Sequence, residues 1–380
     1  DLHSFPTRRS SDLHIVVFKL ETGGIKHTLL TGVELGRQVT DNFRETGYFD
    51  TVSPTTTSIP VPLSNPRTTL PVSFRQSATD ADNHGTAKVA ALYVQDQIEL
   101  SSQFQAILGL RYDRFDVDFR NNRTGGTVES SDDLLSPRVG LVYKPVEPLS
   151  LYASYGKSFQ PRAGEQLASL SLTNYALDPE EYSNYEVGAK WDVLPNLAFT
   201  AALYQLDRKN VAVNANDPTD PARSILIDGQ RTKGVELAVV GNITEAWSVM
   251  GAYAYQDGEI LKDQSAAVRQ GAALAALPEN TFSLWNRYDF TPAWGVGLGV
   301  VYRDEIFAAT ENLATPASNV TLPDFTRVDA AVFFTLNERL RAQLNIENLL
   351  DEEYFATAHS NTNITPGSPR AARVSLVASF

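Results

Sequence analysis

The chain has 380 residues, 42% of them hydrophobic, with no cysteine and a net charge of −13. The acidic balance argues against general nucleic-acid binding, which needs a basic surface, and the lack of cysteine excludes disulfides, thiol catalysis and thiolate-held metals. No run approaches the roughly 18 consecutive apolar residues of a spanning helix, which leaves a soluble fold or a β-barrel.

Asp1 to Leu13 has neither the apolar centre of a signal peptide nor a strand pattern. It reads as translated library adapter, a non-native leader of residues 1–13 before a single unit of 14–380. Ile15 to Leu20 is an apolar run, Gly23 and Gly24 turn it, and Ile25 to Arg37 returns as a strand. A segment rich in Thr, Pro and Asn follows, with no clear period. Thr86–Leu100 and Phe104–Arg120 then form a hairpin; in the second, Leu108, Leu110 and Tyr112 oppose Gly109, Arg111 and Asp113. Pro137–Lys144 turns into Leu149–Ser158. Asn184–Val193 alternates cleanly and turns at Pro195-Asn196 into Leu197–Val213. A strand ending near Asn242 precedes Trp247–Tyr255, and an Ala-rich stretch, Gly258 to Leu277, has room for one helical turn. Thr281–Phe290, Trp294–Arg303, Arg327–Leu336, Leu340–Asn348 and Arg373–Phe380 complete the series. Each strand carries apolar residues at every second position, the signature of one apolar and one polar face.

This gives about fifteen strands whose connections alternate between short and long. Long loops are expected over residues 40–85, 121–133, 159–180, 214–224, 258–278, 304–323 and 355–369. Short turns at one rim and long loops at the other match an antiparallel transmembrane β-barrel. Trp191, Trp247 and Trp294 each lie near a short turn with the apolar parity of their strand, as a membrane-interface girdle requires. Bacterial barrels have even strand numbers and cannot leave an edge open in lipid. Fifteen therefore implies an all-β barrel truncated relative to the intact fold.

The ordered pieces Tyr152-Ala153-Ser154-Tyr155-Gly156-Lys157-Ser158-Phe159-Gln160-Pro161, Leu177-Asp178-Pro179-Glu180, Tyr185-Glu186-Val187-Gly188-Ala189-Lys190, Arg231-Thr232-Lys233-Gly234-Val235-Glu236-Leu237, Pro278-Glu279-Asn280-Thr281 and Asn345-Ile346-Glu347-Asn348-Leu349-Leu350-Asp351-Glu352-Glu353-Tyr354 resemble the TonB-dependent outer-membrane receptors, and within them the siderophore receptors of ferrichrome or catecholate type. The resemblance runs from about Ile15 to Phe380. It implies a plugged barrel of the 22-strand class in the cell outer membrane of a Gram-negative bacterium, with the N-terminal plug absent from this chain. It further implies ferric siderophore as cargo, with no resident cofactor. The partners it implies are the TonB complex acting through the plug, outer-membrane lipid and the barrel-assembly machinery. Phe380 resembles the terminal aromatic that this machinery reads.

A ferric tris-catecholate is anionic and flat-faced, so its site calls for cations and aromatic rings. The long loops offer Arg44, Tyr48, Phe49, Arg67, Phe74 and Arg75, then Phe159, Arg162 and Tyr175, then Arg269, His359 and Arg370. Glu186, Lys190 and Glu236 have lumen parity and suit ion pairs or hydrogen bonds inside the barrel. The glycines of Gly295-Val296-Gly297-Leu298-Gly299 read as a smooth lumenal strip, not a phosphate cradle. The five histidines are scattered and no G-x-S-x-G occurs, so an enzyme is not expected. A passive porin-like channel, a receptor for cobalamin or a glycan, and a barrel-borne enzyme or adhesin are the alternatives.

Overall fold

The computed structural model describes residues 2–4, 7–62, 64–65, 67–78, 80–162, 177–214 and 224–379. Fifteen long strands run through them: β1 (Thr7–Thr22), β2 (Ile25–Tyr48), β3 (Asp82–Glu99), β4 (Phe104–Asn121), β5 (Thr127–Val146), β6 (Leu149–Gln160), β7 (Glu180–Leu194), β8 (Leu197–Lys209), β9 (Gln230–Asn242), β10 (Trp247–Ile260), β11 (Asn280–Asp289), β12 (Trp294–Arg303), β13 (Phe325–Asn337), β14 (Leu340–Glu347) and β15 (Ala371–Ala378). Each pairs antiparallel with its neighbours in chain order, and the pieces Leu2–Ser4 and Ser73–Arg75 bring the sheet to 17 strands. Among the described residues no pairing joins β1 to β15. Among the described residues the remaining sheets are three two-stranded hairpins in the loops, and no second sheet covers either face.

The apolar face looks outward, uncovered. Leu92, Leu110, Val139, Val187, Leu203, Leu298, Val374 and Leu376 are all exposed. In β13 and β14, Val328, Val332, Phe334, Leu340, Leu344 and Ile346 are half-buried by their strand neighbours. The facing side carries the polar partners. Arg111 bridges Glu34 at 2.9 Å and Asp113 at 2.7 Å, and Arg327 bridges Asp329 and Glu347 at 2.9 Å each. An apolar exterior around a hydrogen-bonded interior is the arrangement of a wall standing in lipid.

Aromatic rings mark both edges of that wall. Trp191, Trp247 and Trp294 are 48%, 39% and 43% exposed, on the outward face beside the short turns. Phe104 stacks on Tyr143 at 4.7 Å and Trp294 on Phe334 at 4.4 Å in the same belt. A second belt follows eight positions along the strands, at Tyr112, Tyr255 and Tyr302, with Tyr155 against Tyr185 at 5.0 Å. Eight residues span about 26 Å of strand, which brackets an apolar band about 25 Å tall.

Beyond the second belt the strands continue and their polarity reverses. In β4, Leu108, Leu110 and Tyr112 face outward, whereas Phe115, Val117 and Phe119 face inward and pack with Ala87 and Val128. Water wets the outside there, so the ladder closes its own small core on the inside. This reversal explains the main departure from the expected loops. The polar residues 127–133 belong to β5, and only 122–126 connect it to β4. Residues 40–48 likewise extend β2, 24 residues or about 80 Å long. A wet strand has no lipid to impose the usual alternation, so its period is weak although its hydrogen bonds are complete.

Smaller differences have local causes. The expected strand Leu197–Val213 breaks at Asn210, whose φ is +57°, and Val211–Asn214 starts a separate hairpin with Ser224–Ile227. The Ala-rich stretch holds no helical turn; its backbone is tied by strand-like bonds such as Ile260 N–H to Ala272 C=O at 3.0 Å. The one 3-10 turn among the described residues is Pro316–Ser318. Residues 7–13, set aside as leader, extend β1 along Glu34–Thr40.

Candidate functional site

The site is the loop rim and the inner wall below it. In the first loop, buried Asp80 gathers the chain. Its carboxylate accepts the Thr46 hydroxyl at 2.9 Å and the Ser77 N–H at 2.6 Å, and it pairs with Arg44 at 3.2 Å. Arg123 donates to the Ser77 and Asp80 carbonyls at 2.6 Å each. Burial would raise this carboxyl, but the Ser77 and Thr46 hydrogen bonds and the Arg44 charge together hold it below the usual carboxylate range. The ionised form is therefore the one the fold favours. Its contribution is present above the unfolded value near 4 and is lost as pH falls through the lower folded value. Limited proteolysis of residues 49–78 is expected to be unchanged from pH 7 to about 4.5 and to accelerate below. Asp80→Ala is expected to accelerate it at least about tenfold at pH 7, by leaving a buried network unpaired.

The same loop engages three more candidates. Arg75 pairs with Asp50 at 2.9 Å and lies 3.7 Å above the Tyr48 ring. Phe49 is half-buried, and its backbone N–H donates to Thr56 C=O at 2.9 Å. Phe74, 45% exposed, and Arg67 remain presented to solvent.

Arg162 is buried. It donates to the carbonyls of Asp178, at 2.8 Å, and Asn210, and pairs with Glu180 at 3.5 Å, clamping two loop roots together. Its guanidinium is occupied by the protein itself. Phe159 has the outward parity of Leu149 and Leu151 and sits beneath Lys157, 4.9 Å from the ring centre, so it faces away from the vestibule. Tyr175 and Phe380 lie outside the described residues.

Three loops fuse into one cap. Ile306, Ala308 and Leu322 form a core with Val320, Ala358 and Ile364. Ala276 N–H reaches Phe307 C=O at 2.9 Å, Leu313 N–H reaches Ala267 C=O at 3.1 Å, and Asn361 reaches Ser318 C=O at 3.4 Å. Arg269 and His359 are exposed on this cap. Arg370 is tied to Asp351, whose carboxylate accepts its backbone N–H at 2.8 Å.

Below the cap the inner wall forms a recess of about 780 Å³, lined by Tyr152, Glu186, Lys190, Glu236, Arg303 and Arg327. Glu186 accepts the Tyr152 hydroxyl at 2.5 Å, and Lys190 lies 5.7 Å from the same ring. The lumen parity of Glu186, Lys190 and Glu236 stands. One feature of this face is not apparent strand by strand. Rings lie flat over glycines of the adjacent strand: Tyr93 over Gly32, Tyr152 over Gly188, Tyr204 over Gly234, and Trp285 over Gly297 and Gly299. The glycine strip is thus inward but covered, and a Cβ on Gly297 would meet the indole at 2.4 Å. Only the cross-strand register, which sets Trp285 opposite Gly299, could have shown it.

Residues 4–349 match the family described as TonB dependent receptor-like, β-barrel. The chain belongs to this family. As a TonB-dependent receptor barrel, its place is the Gram-negative outer membrane, and the family is one of receptors. It is 30% identical over 93% of its length to a probable TonB-dependent siderophore receptor, PiuA, of Acinetobacter baumannii. It is 28% identical over 92% of its length to the catecholate siderophore receptor Fiu of Escherichia coli K12. The chain covers 50% and 48% of those receptors, so it spans about half the length of the curated relatives it matches. The crystal structure of PiuA superposes with a TM-score of 0.82 at 26% identity, over 99% of this chain and 56% of that one. The closed form of Fiu gives 0.81 at 25%, over 100% and 55%.

Proposed function

We propose that this chain is the lipid-facing wall and loop rim of a receptor that imports ferric siderophores in a TonB-dependent manner. The carrying observation is the family match along a wall with an apolar exterior and a polar lumen. Curated relatives named as siderophore receptors support the ligand class. Iron enters as chelated cargo and no resident cofactor is needed. Arg67, Phe74, Arg269 and His359 are the candidates free to meet an anionic, aromatic chelate. Arg44, Arg75, Arg162 and Arg370 shape the rim that presents them. Energy input is assigned to TonB acting through a plug domain, and membrane insertion to the barrel-assembly machinery reading Phe380.

The test is iron-limited growth of a receptor-deleted host carrying the full-length gene, supplied with a panel of ferric siderophores. Growth on a ferric catecholate is expected. Arg67→Ala with Phe74→Ala is expected to raise the half-saturating chelate concentration about tenfold, the scale of one charge-assisted contact and one ring contact. Growth on none of the chelates, with uptake of cobalamin or a glycan instead, would overturn the assignment.

A further inference from the structure

The β1–β2 and β3–β4 connections are short turns, at Gly23-Gly24 and at residues 100–103, and each fixes the register of its own hairpin. β2 and β3 have no such turn, since residues 49–81 separate them. Face parity alone does not set their register. A slide of one residue turns the apolar set inward, but a slide of two keeps every residue on its own side.

Two ion pairs cross this joint diagonally, and they lean opposite ways. On the outward face His27 Nδ1 lies 2.7 Å from Asp96 Oδ2, although register sets His27 against Ile98 and Asp96 against Leu29. Their partners on the far sides, Leu20 and Leu108, are also apolar. Leu108 stands four positions from each belt residue, Phe104 and Tyr112, so the pair lies inside the apolar band. On the inward face Arg111 reaches across β3 to Glu34 at 2.9 Å. Arg111 is level with Gly32 through Tyr93, so Glu34 is two positions past it.

Sliding β3 until Glu99 faces Thr28 opens the His27–Asp96 offset to four positions, about 13 Å of strand. Both groups are then unpaired in hydrocarbon, while Arg111 merely comes level with Glu34. Sliding β3 the other way, until Gln95 faces Thr28, brings Asp96 level with His27. That move instead doubles the offset of Arg111 from Glu34 and drives the Tyr93 ring from Gly32 onto Leu30. We infer that His27–Asp96 and Arg111–Glu34 are opposed register stops for the β2–β3 joint, each blocking one direction of slide. An ionisable group left unpaired in hydrocarbon lowers the population of its state about a hundredfold. The stops also serve the rim. A slide of two would shift one root of the first loop, at Tyr48, by about 7 Å against the other, at Asp82.

The chain holds no cysteine, so introduced cysteine pairs report register. The full-length receptor is used, with any cysteine outside this chain replaced by serine. Thr28→Cys is combined with Gln97→Cys for the observed register, with Glu99→Cys for one slide and with Gln95→Cys for the other. Diagonal neighbours stand about 7–8 Å apart, beyond the reach of a disulfide. Receptor is taken from outer membranes, and disulfides in its folded fraction are read by mass spectrometry. In the otherwise wild-type receptor only the 28–97 bridge is expected. His27→Leu with Asp96→Leu removes that pair without leaving a lone charge. It is expected to raise the 28–99 bridge at least about tenfold, with the 28–95 bridge unchanged. Arg111→Gln with Glu34→Gln is expected to raise the 28–95 bridge, with the 28–99 bridge unchanged. The exchanged pair, His27→Asp with Asp96→His, is expected to hold the 28–99 bridge at its wild-type level. General loosening raises both off-register bridges together. Equal rises in both, or no rise in either variant, would therefore overturn the inference. Siderophore uptake does not enter this readout, so the transport assignment is tested separately.

Discussion

Asn348→Ala is expected to destabilise the barrel by about 4 kcal/mol. Asn348 is fully buried with φ +53°. Its amide donates to the carbonyls of Glu352 at 2.9 Å and Ser368 at 3.0 Å, while its side-chain oxygen accepts the Glu352 N–H at 2.8 Å. Its own N–H donates to Asp329 at 2.8 Å, and Asp351, at φ +60°, accepts the Arg370 N–H. The motif Asn345 to Tyr354 is therefore a knot tying β13, β14 and β15 where the sheet meets the cap. Alanine leaves two carbonyls and one N–H without these partners, about 1–3 kcal/mol for each that water does not reach. It also removes the local side-chain bonding that lets asparagine tolerate the left-handed region, where alanine is worse by about 1 kcal/mol. Asn348→Gly removes only the second cost, so it should fall about 1 kcal/mol short of alanine. Urea-unfolding midpoints of the full-length receptor in lipid vesicles measure the order wild type, Gly, Ala. Equal midpoints for wild type and alanine would show that the knot carries no load.

The lipid-facing part of this fold was legible because the bilayer writes a strict period into a strand. The sequence of β11 to β14 has a partner at each step, and the strand count of about fifteen holds. Legibility ended where the strands left the lipid. Residues 127–133 look like loop because Ser131 and Asp133 face water, while Ser130 and Asp132 are polar residues half-buried on the inner side of the ladder. A phase change was nevertheless present: the apolar positions of β4 move from even to odd between Tyr112 and Phe115. That shift marks the membrane boundary, and a search for alternation of constant phase passes over it. The rim was less legible still. Residue type correctly sorted cations and rings into the loops, but type does not reveal prior engagement. Arg162, Arg75 and Arg44 meet carboxylates or carbonyls from 16 or more residues away. Composition cannot place Asp178, Asp50 or Asp80 beside them; only the closed loop does.

Leu298→Arg is expected to cost about 2–4 kcal/mol, the penalty of an arginine at the midplane of a barrel's lipid face. Leu298 is 52% exposed and stands four positions along β12 from each belt residue, Trp294 and Tyr302. Its cross-strand partners, Asn286 and Ala330, are uncharged. The guanidinium must therefore reach for a headgroup or draw water into the apolar band. Ser283→Arg supplies the contrast. Ser283 is on the inward face of β11 and lines the recess that also holds Glu186 and Glu236. A cation there remains in polar surroundings, and its expected cost is below about 1 kcal/mol. The difference between the two variants, read as unfolding free energy in lipid vesicles, isolates the solvent on each side of the wall. Equal costs would mean that the outward face does not stand in hydrocarbon. A soluble two-layer sheet makes the opposite forecast, with the outward arginine tolerated wherever its face is wet. An outward penalty several times the inward one fits only a sheet whose apolar side is solvated by lipid.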